Sequence, residues 1–170
     1  NSLGKAITLI ESSLPEDKNL SRELLERLLP YTSNSIRIGI TGIPGSGKST
    51  FIDTFGSYLI EKYKKKVAVL TIDPSSEKNK GSILGDKTRM EKLSKSNSAF
   101  IRPSPSKAIL GGIGEKTKEA VLLCEASKYD IILIETVGIG QSETEVENIV
   151  DFLIMIQIVG AGDYLQMIKR

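Results

Sequence analysis

Residues 39–51 read Gly-Ile-Thr-Gly-Ile-Pro-Gly-Ser-Gly-Lys-Ser-Thr-Phe, four glycines and a proline ahead of a lysine and two hydroxyls. Core packing gives no reason for that composition, whereas an anion with several oxygens does. Gly42, Pro44, Gly45, Ser46, Gly47, Lys48, Ser49 and Thr50 lie in or beside a complete match to G-x-x-x-x-G-K-[ST], the phosphate-cradling loop. Glycines let backbone N–H groups turn inward around a phosphate with no Cβ in the way. The lysine can then reach the outer phosphates, and the Ser49 hydroxyl can ligate Mg²⁺. The plainer reading, a glycine-rich turn with a solvated lysine, is disfavoured because a strand pattern precedes the loop and a helix pattern follows it.

Three acids are candidates to hold the metal from the other side. The apolar run Ile131–Ile134 delivers Glu135 at its end, and Gly138 follows, with an N–H that could meet a terminal phosphate. Many nucleotidases place Asp where this chain has Glu, and a capped strand end is the structural alternative. Asp73 closes a second apolar run, 67–72, and is either a metal or metal-water ligand or a turn-forming Asp-Pro. Asp86 can serve the metal or equally cap its own helix.

The elements that must position these residues are legible in the periodicity. Leu3, Ile7, Ile10 and Leu14 recur at helical spacing until Pro15-Glu16-Asp17 breaks the pattern, and Leu24, Leu25, Leu28 and Leu29 mark a second helix that Pro30 ends. Residues 1–35 thus form a helical arm with a polar link, and 36–170 the phosphate-binding domain. Ile36, Ile38 and Ile40 alternate as a strand, a helix spans about 47–63, and 67–72 is an apolar strand. A short helix over 85–95, a strand over 99–102, a helix over 113–127 and strands over 131–134 and 152–159 complete the order. Alternating elements of these lengths predict an α/β fold with a mainly parallel sheet and helices on both faces.

Composition narrows the chemistry further. The 23 basic and 21 acidic residues leave a net charge of +2, so no global field favours nucleic acid or an anionic membrane. The basic run Lys64-Lys65-Lys66 reads as a solvated turn. The chain has no histidine, which removes Ser-His-Asp triads, histidine zinc sites and the commonest general base. The single Cys124 excludes an internal disulfide and points to a reducing compartment. The longest apolar run, Phe152–Ile156, falls far short of the about 20 residues of a membrane span. No signal peptide is recognisable, and the missing initiator Met and the abrupt end suggest a fragment.

Several stretches, in order and over nearly the whole chain, resemble the MeaB/ArgK family of P-loop GTPases, also called LAO/AO transport system ATPases or kinases. They are residues 6–12, 39–52, 73–76, 81–90, 100–106, 110–112, 135–143 and 160–170, among them GSILGDKTRM, FIRPSPS and ETVGIGQSE. The resemblance implies a SIMIBI-class P-loop NTPase that binds GTP or GDP with Mg²⁺ and hydrolyses GTP as a homodimer. It implies a chaperone of methylmalonyl-CoA mutase or a related cobalamin-dependent mutase, gating cofactor delivery and protecting or reactivating the enzyme. The expected location is the bacterial cytoplasm, or the mitochondrion in a eukaryote. Lys48 then contacts phosphates, Ser49 ligates the metal, and Asp73, Asp86 and Glu135 belong to the magnesium shell and switch segments. Residues near 158–169 match a third mobile segment with Lys169 at its end. Gln141, by analogy with other GTPases, would orient water, although its offset from Gly138 differs from the common Gly-Gln pair.

The guanine-reading N-K-x-D motif is not matched. Asn79-Lys80-Gly81-Ser82 has Ser where the Asp should stand and lies too early in the topology. In the family the true motif and the dimerisation segment lie beyond residue 170, so guanine specificity rests on kinship. Two other classes stay open: a P-loop ATPase or small-molecule kinase linked to amino-acid transport, and a nucleotide-dependent interaction module with little activity of its own.

Overall fold

Parallel strands buried on both faces need apolar side chains at every position, and β4 (Ile131–Thr136) has them from Ile131 through Ile134, all buried. It lies at the centre of a five-stranded sheet with β1 (Ile36–Thr41), β2 (Val67–Asp73), β3 (Ala99–Pro105) and β5 (Phe152–Met155). The order is β3-β2-β4-β1-β5 and every pairing is parallel. The computed structural model describes residues 2–32, 34–73, 89–105, 112–136 and 146–158.

Strand alternation divides the core between the two faces. Ala68, Leu70, Ile72, Ile132 and Ile134 pack with Leu3, Ile7 and Ile10 of α1 (Ser2–Glu11) and with Ala120, Val121, Leu123 and Cys124 of α5 (Gly112–Ala126). Residues of α2 (Pro15–Leu28) lie against the same cluster. Val67, Val69, Ile131, Leu133, Ile38 and Ile40 pack on the opposite face with Ile52 of α3 (Lys48–Tyr63) and with Met90 and Leu93 at α4 (Glu91–Ser94). Asp53 of α3 accepts hydrogen bonds from the N–H groups of Lys92 and Leu93, at 3.4 and 2.8 Å, and so caps the short α4.

The arm is part of this core. Ile7 and Ile10 are fully buried, and Arg102 of β3 reaches Thr8 and pairs with Glu11 on α1. Pro15 ends the first helical pattern and is also the first residue of α2, where its missing N–H costs nothing. Glu16 and Asp17 follow in the first turn, complementing the helix dipole. Of the expected 85–95 helix, residues 85–88 lie outside the described residues, and beyond Met90 a single turn runs over Glu91–Ser94. β3 runs on to Pro105, and β5 stops at Met155.

On the α5 side of β1, Arg37 pairs with Glu125 at 2.7 Å, and the Glu125 side chain is 2% exposed. Losing Arg37 would take the opposite charge away from the buried Glu125 carboxylate, so this pair helps fix how α5 lies on the strand that feeds the phosphate loop. Beside it, burial and then the Glu125 charge push the Cys124 thiol up to about 12. A thiol so placed stays protonated at neutral pH and supplies no nucleophile. Among the described residues, no helix is long and apolar enough to cross a membrane.

Ile7→Ala removes a fully buried side chain shared between the arm and the sheet, and its expected cost is about 2–5 kcal/mol. Urea unfolding should show one transition at lower denaturant. A separate early transition for the arm would show that it does not share the core.

Candidate functional site

β1 ends at Thr41, and the chain turns at once through Gly42-Ile43-Pro44-Gly45-Ser46-Gly47 into α3. Gly42 has φ +141°, and a Cβ there would lie 2.2 Å from the Ile156 carbonyl oxygen. Ile156 also donates its N–H to Thr41 O at 2.8 Å, so the start of the loop rests directly on the backbone leaving β5. Only glycine satisfies both the angle and the approach. The loop closes with Ser46 N–H donating to Ile43 O at 3.1 Å. Gly47, at φ +92°, is the N-cap of α3 and brings no side-chain cap. The first amide N–H groups of α3, at Lys48, Ser49 and Thr50, are therefore left without a side-chain acceptor from the cap, the arrangement that receives an anion at a helix N-terminus.

Lys48 is 6% exposed, and its ammonium donates to the carbonyls of Gly42 at 2.8 Å and Ile43 at 3.1 Å. These bonds hold the charge inside the curve of the loop, where phosphate oxygens would meet it. The Ser46 hydroxyl is buried with no hydrogen-bond partner among the described residues. A buried hydroxyl facing no protein acceptor suits a loop built to take oxygen atoms from a ligand.

The carboxylate comes from the neighbouring strand. Glu135 sits in register between Ile40 of β1 and Thr71 of β2. Its Oε1 accepts a hydrogen bond from Ser49 Oγ at 3.0 Å. The Thr136 hydroxyl, fully buried, donates to Ile40 O at 3.4 Å and ties the same strand end to β1. A hydroxyl and a carboxylate side by side are two hard oxygen donors. That pair fits Mg²⁺, which uses one or two protein oxygens and takes the rest from water and phosphate. No group of three His, Cys, Asp or Glu side chains converges among the described residues, so these residues by themselves form no closed cage for a metal.

The backbone of Asp73 closes β2 on this same sheet edge, in register with Pro105. Gly42, Pro44, Gly45, Ser46, Gly47, Lys48, Ser49 and Thr50 are contiguous with the Glu135 pair. Asp86, Gly138, Gln141 and Lys169 lie outside the described residues. Periodicity and motif gave no sign of the Ile156 carbonyl beneath Gly42, because a backbone contact leaves no residue-type signature. Thr136 could have been found as the hydroxyl next to the strand-end acid.

Gly42→Ala forces a Cβ against the Ile156 carbonyl at a φ that L residues rarely adopt. It should destabilise the fold by more than about 2 kcal/mol and abolish saturable binding of triphosphate. Thermal unfolding and nucleotide titration check the two effects. A variant with unchanged midpoint and affinity would show that the loop does not depend on this approach.

The family described as methylmalonyl Co-A mutase-associated GTPase MeaB matches residues 3–170. Over 168 residues the chain is 53% identical to "GTPase ArgK" of Escherichia coli (strain K12), covering 99% of this chain and 50% of that protein. Over 178 residues it is 47% identical to "Methylmalonic aciduria type A homolog, mitochondrial" of Mus musculus, covering 99% of this chain and 43% of that one. The chain thus spans about half the length of these curated relatives. Among solved structures, "Crystal structure of LAO/AO transport system kinase" superposes with a TM-score of 0.75 at 42% identity, covering 97% of this chain and 48% of that chain. With its parallel sheet, its phosphate loop and a match along nearly its whole length, the chain belongs to the MeaB family of methylmalonyl-CoA mutase-associated GTPases.

Proposed function

We propose that this chain is the phosphate-binding part of a Mg²⁺-dependent GTPase that acts as a chaperone of methylmalonyl-CoA mutase, gating loading of its cobalamin cofactor and protecting or reactivating the enzyme. The observation that carries the reading is the Ser49–Glu135 pair at 3.0 Å beside a buried loop lysine, on a chain of this family. The client and the activity rest on the family and on relatives about twice as long.

In this reading the loop N–H groups and the N-terminus of α3 hold the phosphates, and Lys48 neutralises charge on their outer oxygens. Ser49 and Glu135 would hold Mg²⁺, which when bound neutralises charge on the phosphate oxygens. Asp73 and Asp86 would belong to the magnesium shell, as ligands of the metal or of its water. Gly138 offers an N–H to the terminal phosphate, Gln141 orients water, and Lys169 closes a switch segment. Phosphoryl transfer depends on positioning and charge rather than a strong base, so a chain without histidine is not handicapped. The working unit is a homodimer in the cytoplasm, or in the mitochondrion for a eukaryotic member.

The test is competition between GTP and ATP in the presence of Mg²⁺, on this chain and on a chain of its relatives' length. A preference for GTP of about tenfold, or 1.4 kcal/mol, on the longer chain supports the GTPase reading. Equal or tighter ATP binding there, with phosphate transferred to a small acceptor, would favour a kinase instead. Lys48→Ala should remove tight triphosphate binding in the same titration, and unchanged affinity would sink the assignment of the loop. Glu135→Gln keeps the shape but removes the carboxylate's negative charge from the donor pair, so half-maximal hydrolysis should need about tenfold more Mg²⁺. A metal midpoint equal to that of the unaltered chain would remove Glu135 from the metal site.

A further inference from the structure

The far end of α3 carries a surface that the phosphate site does not use. The helix starts at the loop with Lys48 and ends at Tyr63, so its last turn lies at the opposite edge of the sheet, next to Lys66 and the start of β2. Tyr58 and Tyr63 are 44% and 53% exposed there. Their rings meet edge to face at 5.7 Å, and the Lys62 ammonium sits 5.1 and 5.5 Å from the two ring centroids. Lys62 Nζ also donates to the Tyr58 hydroxyl at 2.8 Å. Two large aromatic side chains are thus held in a fixed, solvent-facing arrangement around a cation.

The charge of the whole chain is concentrated at this point. Residues 61–66, Glu-Lys-Tyr-Lys-Lys-Lys, carry four lysines and one glutamate, 4 − 1 = +3, against +2 for all 170 residues, leaving 2 − 3 = −1 for the rest. Asp130 offsets part of it, pairing with Lys65 at 3.3 Å and accepting the Lys66 N–H at 2.8 Å. A helix C-terminus favours a lysine or two in its last turn. That accounts for Lys62, but not for Lys65 and Lys66 past the end, nor for the tyrosines. Lys64 occupies the left-handed C-cap position at φ +55°, where glycine avoids a cost of about 1 kcal/mol. A lysine there keeps a charge on the patch at the expense of the cap.

We propose that Tyr58, Lys62, Tyr63, Lys64 and Lys65 form a docking surface for an acidic, carboxylate-rich protein segment. Tyrosines anchor interfaces at low entropy cost because they combine a rigid apolar ring with a hydroxyl. Flexible lysines steer and meet carboxylates without demanding one geometry. Nucleic acid fits less well, because the tyrosine faces are turned to each other and to Lys62 instead of lying open for base stacking, and no arginine joins the cluster. An anionic membrane fits less well because the aliphatic residues of this stretch, Leu59 and Ile60, pack against the core and no Phe or Trp stands in it to enter a bilayer.

The test is fluorescence anisotropy of a labelled twelve-residue Glu/Asp-rich peptide containing one leucine, with a dT12 oligonucleotide and phosphatidylserine vesicles as comparisons. Saturable peptide binding that weakens with salt is expected, with at least about a tenfold loss in Tyr58→Ala/Tyr63→Ala. Lys64→Gly relieves the left-handed strain, so it should fold at least as well while losing about threefold in affinity. Triphosphate binding should be unchanged in both variants, which separates this surface from the loop at Lys48. Absence of saturable binding, equal affinity in the double tyrosine variant, or tighter binding of the oligonucleotide or the vesicles overturns the proposal.

Discussion

The separation between Ser49 and Glu135 is the constraint on which the rest of the structure depends. These residues are 86 positions apart in the chain and 3.0 Å apart in space. No local turn can achieve that; adjacency of β1 and β4 in a parallel sheet can, because parallel strands end on the same edge. The crossovers that make such strands parallel usually carry helices, and the helices of this chain form the two layers that bury the sheet. Burial on both faces in turn requires the unbroken run Ile131–Ile134. The chemistry at one edge therefore dictates the apolar character of the whole central strand.

The loop imposes a second demand, met by backbone instead of side chains. Gly42 must approach the Ile156 carbonyl, and Thr41 O must accept the Ile156 N–H. The position of the phosphate loop is thereby tied to β5, a strand that contributes no side chain to the Ser49–Glu135 pair. Gly39, three residues earlier within β1, shows the same economy: a Cβ there would meet Leu153 at 2.7 Å and Val146 at 3.2 Å. The side chains of Leu153 and Val146 can lie over β1 at this point because Gly39 has no side chain. Gly39 and Gly42 thus serve the sheet, while Gly45 and Gly47 serve the left-handed turns of the loop, and the sequence motif reports only the second of these roles.

How much could be read before any coordinates follows from the range of each interaction. Helical and strand periods are local, so the two arm helices, the β1 alternation and the apolar β2 and β4 runs were visible, as was the phosphate loop with its flanking strand and helix. Sheet order was not, since Glu135 pairs with Ile40 at a separation of 135 − 40 = 95 residues and with Thr71 at 135 − 71 = 64, distances set by crossover packing. The Arg37–Glu125 pair, buried on the Glu125 side, was equally hidden: one residue reads as the polar face of a strand, the other as a helix surface, and only α5 lying on β1 makes them partners. The short α4 owes its existence to a cap supplied by Asp53, 40 residues away from Leu93, which no local pattern encodes.

The arm raises the question of why a phosphate-binding domain should begin with two helices at all. α1 buries Leu3, Ile7 and Ile10 on the same face that α5 covers, and Arg102 reaches across from β3 to Thr8 and Glu11. β3 is an edge strand, and its inward face would lie partly open without α1. Covering it protects Ile72 and Leu70 of β2, whose strand ends at Asp73 on the ligand edge. The arm is therefore part of what holds that edge in place: removing it would expose apolar surface next to β2 and free the end of a strand that the phosphate site needs fixed.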